Sequence, residues 1–303
     1  MIDIHDESIQ AFSKVFPDEG SCKRWILDAC FGIGKPCQVC GGLAVWRHQG
    51  ASTEYFWHCC RRVYPRAETL AAFTSVPLRT WFLAILLVSN FDGRVGTEFL
   101  VRHLGLGHKV ARRMSLRIRI HMTALALQET APLDGPVYVD EMHFSAVRDA
   151  RRRTDDPVVI FGIANKADVR VFCVPNRKSI TLAAVIQRNV VSGSKIVADG
   201  LASYDSLVDL GFQLSRVNHT KAEWRNSEGY TTTRIEQVWS GLRRRLEGVH
   251  VTVPSDKLWT YLGQHMFLLR CRERGLSPFW QALSSFPNVW ELGDSLRERI
   301  DLR

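Results

Sequence analysis

An acid in the middle of an apolar strand is costly unless it is solvated, paired or bound to a metal. The run Val137-Tyr138-Val139-Asp140-Glu141-Met142-His143-Phe144 places one there. Period-two alternation puts Tyr138, Asp140, Met142 and Phe144 on one face, and Val137, Val139, Glu141 and His143 on the other. Asp199 follows the apolar run Ile196-Val197-Ala198, at a strand end, where α/β sheets hold ligand-binding groups. Glu236 stands early in a helical pattern whose apolar stripe is Ile235, Val238, Trp239, Leu242 and Leu246. Helical spacing sets Thr232, Ser240 and Arg243 on the same flank as Glu236, beside that stripe. Three carboxylates converging from a strand centre, a strand end and a helix would hold two divalent cations, and oxygen ligands suit Mg²⁺ or Mn²⁺. Two such ions, ~3.5–4 Å apart, activate an attacking oxygen and stabilise the leaving oxygen of a phosphodiester. Singly, the acids have ordinary roles as well: Asp199 as a turn or N-cap residue, Glu236 as a first-turn acid favoured by the helix dipole.

A second set of chemically active residues lies nearer the N-terminus. Pro36-Cys37-Gln38-Val39-Cys40-Gly41-Gly42 is a zinc-knuckle turn, two thiolates followed by glycines that let backbone amides fold around sulfur. About twenty residues on, Trp57-His58-Cys59-Cys60-Arg61-Arg62 offers the other half of a site. Adjacent cysteines do not repeat the C-x-x-C chelate, so His58 with Cys60, or Cys59 with Cys60, would complete a Zn²⁺ site. Buried thiols in a ribbon that holds no metal are the other reading.

The elements that would position these groups follow from pattern. Helical periodicity through Ile9, Phe12, Val15, Phe16, Cys22, Trp25 and Ile26 stops at the breaker cluster Gly32-Ile33-Gly34-Lys35-Pro36. Strands at Leu43 to Arg47 and Thr53 to Trp57 form a hairpin, and a helix starts at Pro77. Thr97 to Leu104, the turn Gly105-Leu106-Gly107 and a helix from His108 to about His121 read as a helix-turn-helix. Its second helix has Val110, Met114 and Ile118 as its stripe, with Arg112, Arg113 and Arg119 free to enter a major groove. An ordinary helical hairpin with a solvated cationic face has the same pattern. Strands then follow at Val137 to Phe144, Val158 to Ala164 and Asp168 to Val174. Next come a helix (Ile180 to Val191), a strand (Lys195 to Ala198), a helix (Ser203 to Leu210), a strand (Phe212 to Val217) and helices from Thr232 to Glu247 and Ser255 to Arg272. Three strands and then alternating helix and strand is the order of an RNase H-like α/β domain. The modules are therefore a helical segment (1–35), a zinc-ribbon-like hairpin (36–66), a helix-turn-helix region (67–130), an RNase H-like mixed-sheet catalytic domain (131–275) and a C-terminal tail (276–303).

Composition agrees with a DNA-handling protein. The 303 residues carry 40 Lys+Arg and 31 Asp+Glu, a net charge of +9, which favours a polyanionic partner. At 46% apolar the chain has ample material for a core. The longest apolar run, Trp81 to Val88, is too short for a membrane span, and the acidic N-terminus does not read as a signal peptide. A soluble cytoplasmic protein with reduced thiols is expected. The basic runs Arg151-Arg152-Arg153 and Arg243-Arg244-Arg245 are candidates for phosphate contact or solvated surface.

Taken in order, these pieces resemble the ISXO-like insertion-sequence transposases. The matches are Cys60-Arg61-Arg62, Pro77-Leu78-Arg79-Thr80-Trp81-Phe82-Leu83-Ala84-Ile85, the helix pair, Val139-Asp140-Glu141, Asp199-Gly200-x-x-x-Tyr204, Val217-Asn218-His219-Thr220-Lys221 and Ile235-Glu236-Gln237-Val238-Trp239-Ser240. They span about 36 to 272, and the 37 positions from Asp199 to Glu236 suit the family's spacing. The resemblance implies a DDE-type enzyme with Asp140, Asp199 and Glu236 as metal-binding catalytic carboxylates. Mg²⁺ or Mn²⁺ would be its cofactor and Zn²⁺ the ribbon's metal. Its partners would be the element's terminal inverted repeats and target DNA, met at the nucleoid by a homodimer or larger synaptic assembly. His219, Lys221, Arg243 and Arg244 would help position DNA. Three departures stand out: Thr233 where many relatives have Asn, Arg243 where a Lys is expected, and Trp57 where the second zinc pair would begin. They leave two other readings, a catalytically degenerate DNA-binding derivative and an RNase H-like nuclease or resolvase.

Overall fold

A computed structural model of the chain describes residues 7–26, 28, 40–42, 45–49, 53–58, 61–63, 66, 69–90, 95–145, 147–148, 157–217, 225–249, 253–284 and 293–303. Contacts divide it into two units, and the boundary falls inside one helix, at His121 and Met122. The first unit comprises residues 1–91, 97–121 and 277–292, and the second 92–96, 122–276 and 293–303.

In the first unit, α1 (Glu7–Val15) and α2 (Glu19–Ile26) precede an antiparallel sheet of β1 (Val45–Gln49), β2 (Thr53–His58) and β3 (Arg61–Val63). The predicted hairpin thus gains a third strand. Helix α3 (Leu78–Asn90) starts directly after Pro77, a residue whose fixed φ suits a helix entry. The backbone N–H groups of Leu78 and Arg79 donate to the two carboxylate oxygens of Glu19 at 2.8 and 3.0 Å. A carboxylate there satisfies orphan donors and opposes the positive end of the helix dipole. Phe12, Phe16, Trp25, Phe82, Phe279 and Trp280 pack as an aromatic cluster, with Phe16 and Phe82 edge to face at 5.0 Å.

α4 (Thr97–Leu104) and α5 (His108–Ala126) are joined by a turn in which Gly105 takes φ +63°, a left-handed value that glycine adopts without a Cβ clash. Two expectations change here. α5 runs 19 residues, past the predicted end, and Val110 is 38% exposed while Ala111 takes the buried position beside Met114 and Ile118. Arg119 does not project toward a groove. It is only 9% exposed and donates to Ser115 Oγ at 2.7 Å, one helical turn back. Arg112 and Arg113 are exposed as predicted.

Between β3 and α3 lies the one unusual backbone conformation. Phe73 has φ +57°, the only positive φ outside glycine among the described residues. For a residue with a Cβ this costs about 1–2 kcal/mol. Arg117 of α5, itself buried, donates to the carbonyls of Leu70 (3.2 Å) and Ala72 (2.6 Å), and Arg66 donates to those of Thr74 (3.0 Å) and Val76.

The second unit holds a five-strand mixed sheet of order β7-β6-β4-β8-β9: β4 (Val137–Phe144), β6 (Val158–Ala164), β7 (Val169–Val174), β8 (Lys195–Ala198) and β9 (Gln213–Arg216). β4, β6 and β7 are antiparallel, whereas β8 joins β4, and β9 joins β8, in parallel. A two-residue pair, β5 (Val147–Arg148) with β10 (Val253–Pro254), forms a separate ribbon. On one face, Val137, Val139, Phe161, Ile163 and Phe172 pack with Leu182 and Ile186 of α6 (Ser179–Asn189), Tyr204, and Leu207 of α7 (Ser206–Asp209). The opposite face is covered by α8 (Thr233–Val249) and α9 (Leu258–Glu273). α9 is buried almost all round, so its sequence shows no polar stripe. The C-terminal segment carries two short helices, α10 (Pro278–Leu283) in the first unit and α11 (Gly293–Glu298) in the second; Ser277 caps α10, its side chain accepting from Trp280 N–H.

Candidate active site

Register brings the two aspartates together. The parallel β4–β8 ladder pairs Val137 with Ile196 and Tyr138 with Val197. Two residues further along both strands stand Asp140 and Asp199, just past the last paired rung. β4 continues against β6, while β8 ends at Ala198, so Asp199 stands at the carboxyl end of its strand.

Asp140 faces α8. Its Oδ2 accepts from the Trp239 indole N–H at 2.8 Å. Directly opposite Asp140 on β6 is Gly162, and a Cβ there would lie 2.5 Å from the Trp239 ring and 2.9 Å from Ile235. The missing side chain is what lets α8 press its indole onto the sheet beside the acid. Burial pushes the Asp140 carboxyl up, and the charges of Asp199 and Glu236 add to that; the Trp239 and Glu141 N–H bonds pull it back.

Asp199 closes a turn, its Oδ1 accepting from Leu201 N–H at 2.9 Å. Arg216 of β9 braces the same loop through the carbonyls of Asp199 and Leu201, both at 3.3 Å, and pairs with Asp205. Glu236 lies exposed in the first turn of α8, where Thr232 Oγ1 donates to its Oε1 at 2.5 Å. The ordinary roles expected of Asp199 and Glu236 are therefore present together with their proximity to Asp140.

A fourth acid joins them. Glu141, on the face opposite Asp140, accepts from the hydroxyl of the buried Tyr204. Burial first, then the charges of Asp140 and Asp199, push its carboxyl up to about 7, against the Tyr204 bond and the Arg177 charge. The same surroundings, burial and then Glu141, push the Tyr204 phenol well above its usual range. In the sequence Glu141 falls on the second face of its strand, Tyr204 stands only within the Asp199-Gly200-x-x-x-Tyr204 motif, and Trp239 belongs to the apolar stripe; no pattern marks Gly162 or Arg216.

The donor set is all hard oxygen, which fits Mg²⁺ or Mn²⁺. Among the described residues no three His, Cys, Asp or Glu side chains are gathered as a ready-made metal cage. What the geometry provides is mutual repulsion that a cation would relieve.

The remaining expected site residues divide sharply. Arg243 and Arg244 are exposed on α8, Arg244 donating to the Ser240 carbonyl at 3.3 Å. Arg245 is not a surface cation: it is 3% exposed. Arg151, Arg152, Arg153, His219 and Lys221 lie outside the described residues, as do Cys37, Cys59, Cys60 and the side chain of His58. Cys40 is exposed and joined in a disulfide whose partner also lies outside them. Cys22, Cys173 and Cys271 are free and buried.

A mixed five-strand sheet is consistent with an RNase H-like domain. Residues 132–268, which contain Asp140, Asp199 and Glu236, match the ISXO2-like transposase domain family. The family implies a transposase role and DNA as partner. No curated protein matches the chain. No helix among the described residues is long and apolar enough to cross a membrane.

Proposed function

We propose that the chain is an insertion-sequence transposase that nicks DNA at the element's terminal inverted repeats and joins the freed 3′-hydroxyl to target DNA. The observation that carries this reading is the side-by-side placement of Asp140, within β4, and Asp199, just past the end of the adjacent parallel strand β8, with the charge of Glu236 reaching Asp140. Asp140, Asp199 and Glu236 would hold the divalent cations. When bound, Mg²⁺ or Mn²⁺ supplies positive charge that offsets the phosphodiester and makes water or a 3′-hydroxyl a better nucleophile at neutral pH.

The chain's own part is to fix the acids. Trp239 sets Asp140, the turn to Leu201 sets Asp199, and Thr232 sets Glu236. Arg112, Arg113, Arg243 and Arg244 contact phosphates, so binding weakens with salt. The segment 36–66 and the α4–α5 pair recognise the ends, and two or more subunits pair the ends at the nucleoid; the disulfide at Cys40 replaces the thiolate that the expected Zn²⁺ site needs there. A degenerate, DNA-binding-only protein is the second reading, favoured by Thr233 and by the absence of a preformed cage among the described residues.

The test incubates the protein with Mg²⁺ or Mn²⁺ and DNA carrying the segments that flank its gene, beside Asp140→Ala and Asp199→Ala. Nicked ends and joined products from the wild type alone are expected. Ends bound but uncut by all three proteins would overturn the enzyme reading, and cutting confined to branched DNA would favour a resolvase.

A further inference from the structure

We propose that Phe73 is a stacking wedge for DNA, displayed on a rigid turn whose anchor, Arg117, shares a helix face with two phosphate-binding cations, Lys109 and Arg113. The ring is 90% exposed, the most exposed large apolar side chain among the described residues. Its backbone is held at φ +57°, a conformation that a bulky side chain keeps only when its surroundings impose it. Those surroundings are on hand. Arg117 grips the carbonyls of Leu70 and Ala72 on one side of Phe73, and Arg66 grips those of Thr74 and Val76 on the other. Thr74 Oγ1 closes the turn onto the Ala71 carbonyl at 3.0 Å and accepts from the Trp81 indole N–H at 3.3 Å. A turn anchored this firmly does not fold its ring away, so the exposure is built in.

The occupant is indicated by charge. Lys109, Arg113 and Arg117 stand at i, i+4 and i+8 on α5, along one face. Arg117 is the residue that holds the turn, and the Arg113 charge reaches it. Lys109 and Arg113 are exposed and make no ion pair among the described residues. Two exposed cations, on the helix face whose buried Arg117 anchors the turn that bears the ring, fit a phosphate backbone with a base face beside it, and aromatic stacking on an unpaired or opened base needs no particular sequence. An acidic protein partner would meet the cations but would leave the ring without a matching surface. The proposal rests on the DNA-binding reading above.

The experiment measures binding to a random-sequence duplex and to the same duplex with one unpaired 2-aminopurine. Wild type is expected to prefer the bulged duplex and to quench the 2-aminopurine. Phe73→Gly, which suits the positive φ, should melt no lower than wild type, lose the quench and bind the bulge roughly tenfold more weakly or worse. Phe73→Trp should restore both. Replacing Lys109 and Arg113 by alanine should weaken both duplexes alike and flatten the salt slope by about two. Retention of quench and preference by Phe73→Gly overturns the wedge alone. So does a loss of self-association, with DNA binding intact, in that variant. Failure of the wild type to bind either duplex overturns the wedge together with the DNA reading.

Discussion

Two carboxylate centres sit in the same sheet domain and are treated in opposite ways. At the start of β7, Asp168 Oδ1 accepts from Arg270 Nε and Nη2 at 2.8 and 2.7 Å, and Oδ2 stands 3.6 Å from Arg170 Nε. Arg270 also donates to the Ala126 carbonyl at 2.7 Å, and Arg170 to Asn189 Oδ1 at 3.0 Å and the Ala131 carbonyl. That acid is matched by two guanidiniums, and the group ties β7, α6 and α9 together. In the middle of β4, beside the end of β8, burial and the neighbouring Asp199 charge push the carboxyls of Asp140 and Glu141 up, with neutral donors and the Arg177 charge in opposition. The first centre is neutralised within the fold; the second waits for charge from outside it. Stability alone would favour the first arrangement everywhere, so the second is the one that calls for a ligand.

Breaking the matched centre should have the largest effect on folding. Arg270→Met leaves Asp168 buried with half its compensation and should lower stability by roughly 3–5 kcal/mol, read from urea melts. The unmatched centre should respond to pH. The folded pKa of Glu141 is raised to about 7. Its contribution is therefore complete below the ordinary carboxyl range near 4.5 and is lost as pH rises through about 7. Glu141→Gln removes that titration. In metal-free protein the stability of wild type relative to the variant should fall by roughly 2–3 kcal/mol between those limits. The fully buried His265, whose pKa burial and then the Arg245 charge depress, works in the opposite direction but equally in both proteins. A flat difference would place Glu141 among the matched acids. The smallest effect is expected of Asp140→Asn, which keeps an acceptor for Trp239 and removes one repelling charge. Its metal-free melting temperature should rise slightly, and stabilisation by added Mn²⁺ should shrink. A fall in melting temperature would mean that Asp140 is structurally paired after all.

The sheet was largely readable from pattern because its strands are short, β-branched and bounded by turns; β4 and β6 match their predicted spans to the residue. The first three acids were readable too, since an acid in an apolar strand, at a strand end or beside a helix stripe breaks a local rule. What pattern missed depends on partners far away in sequence. Arg119 and Arg245 look like surface cations on a helical wheel, and only the packed neighbours of α5 and α8 bury them. Glu141 faces away from Asp140 along its own strand and joins the site only because Tyr204 reaches it from beyond β8. Phe73 is unremarkable as a letter; its meaning lies in a backbone angle.

Gly162 carries a consequence for how such a protein would decay. It bears no charge and touches no ligand, yet the indole that holds Asp140 occupies the space its side chain would fill. A single added methyl would lift α8, and with α8 the acid Glu236. A gene copy could thus retain every acidic letter of its signature and still be silent. Loss of function in this lineage is written as readily in a glycine as in an aspartate.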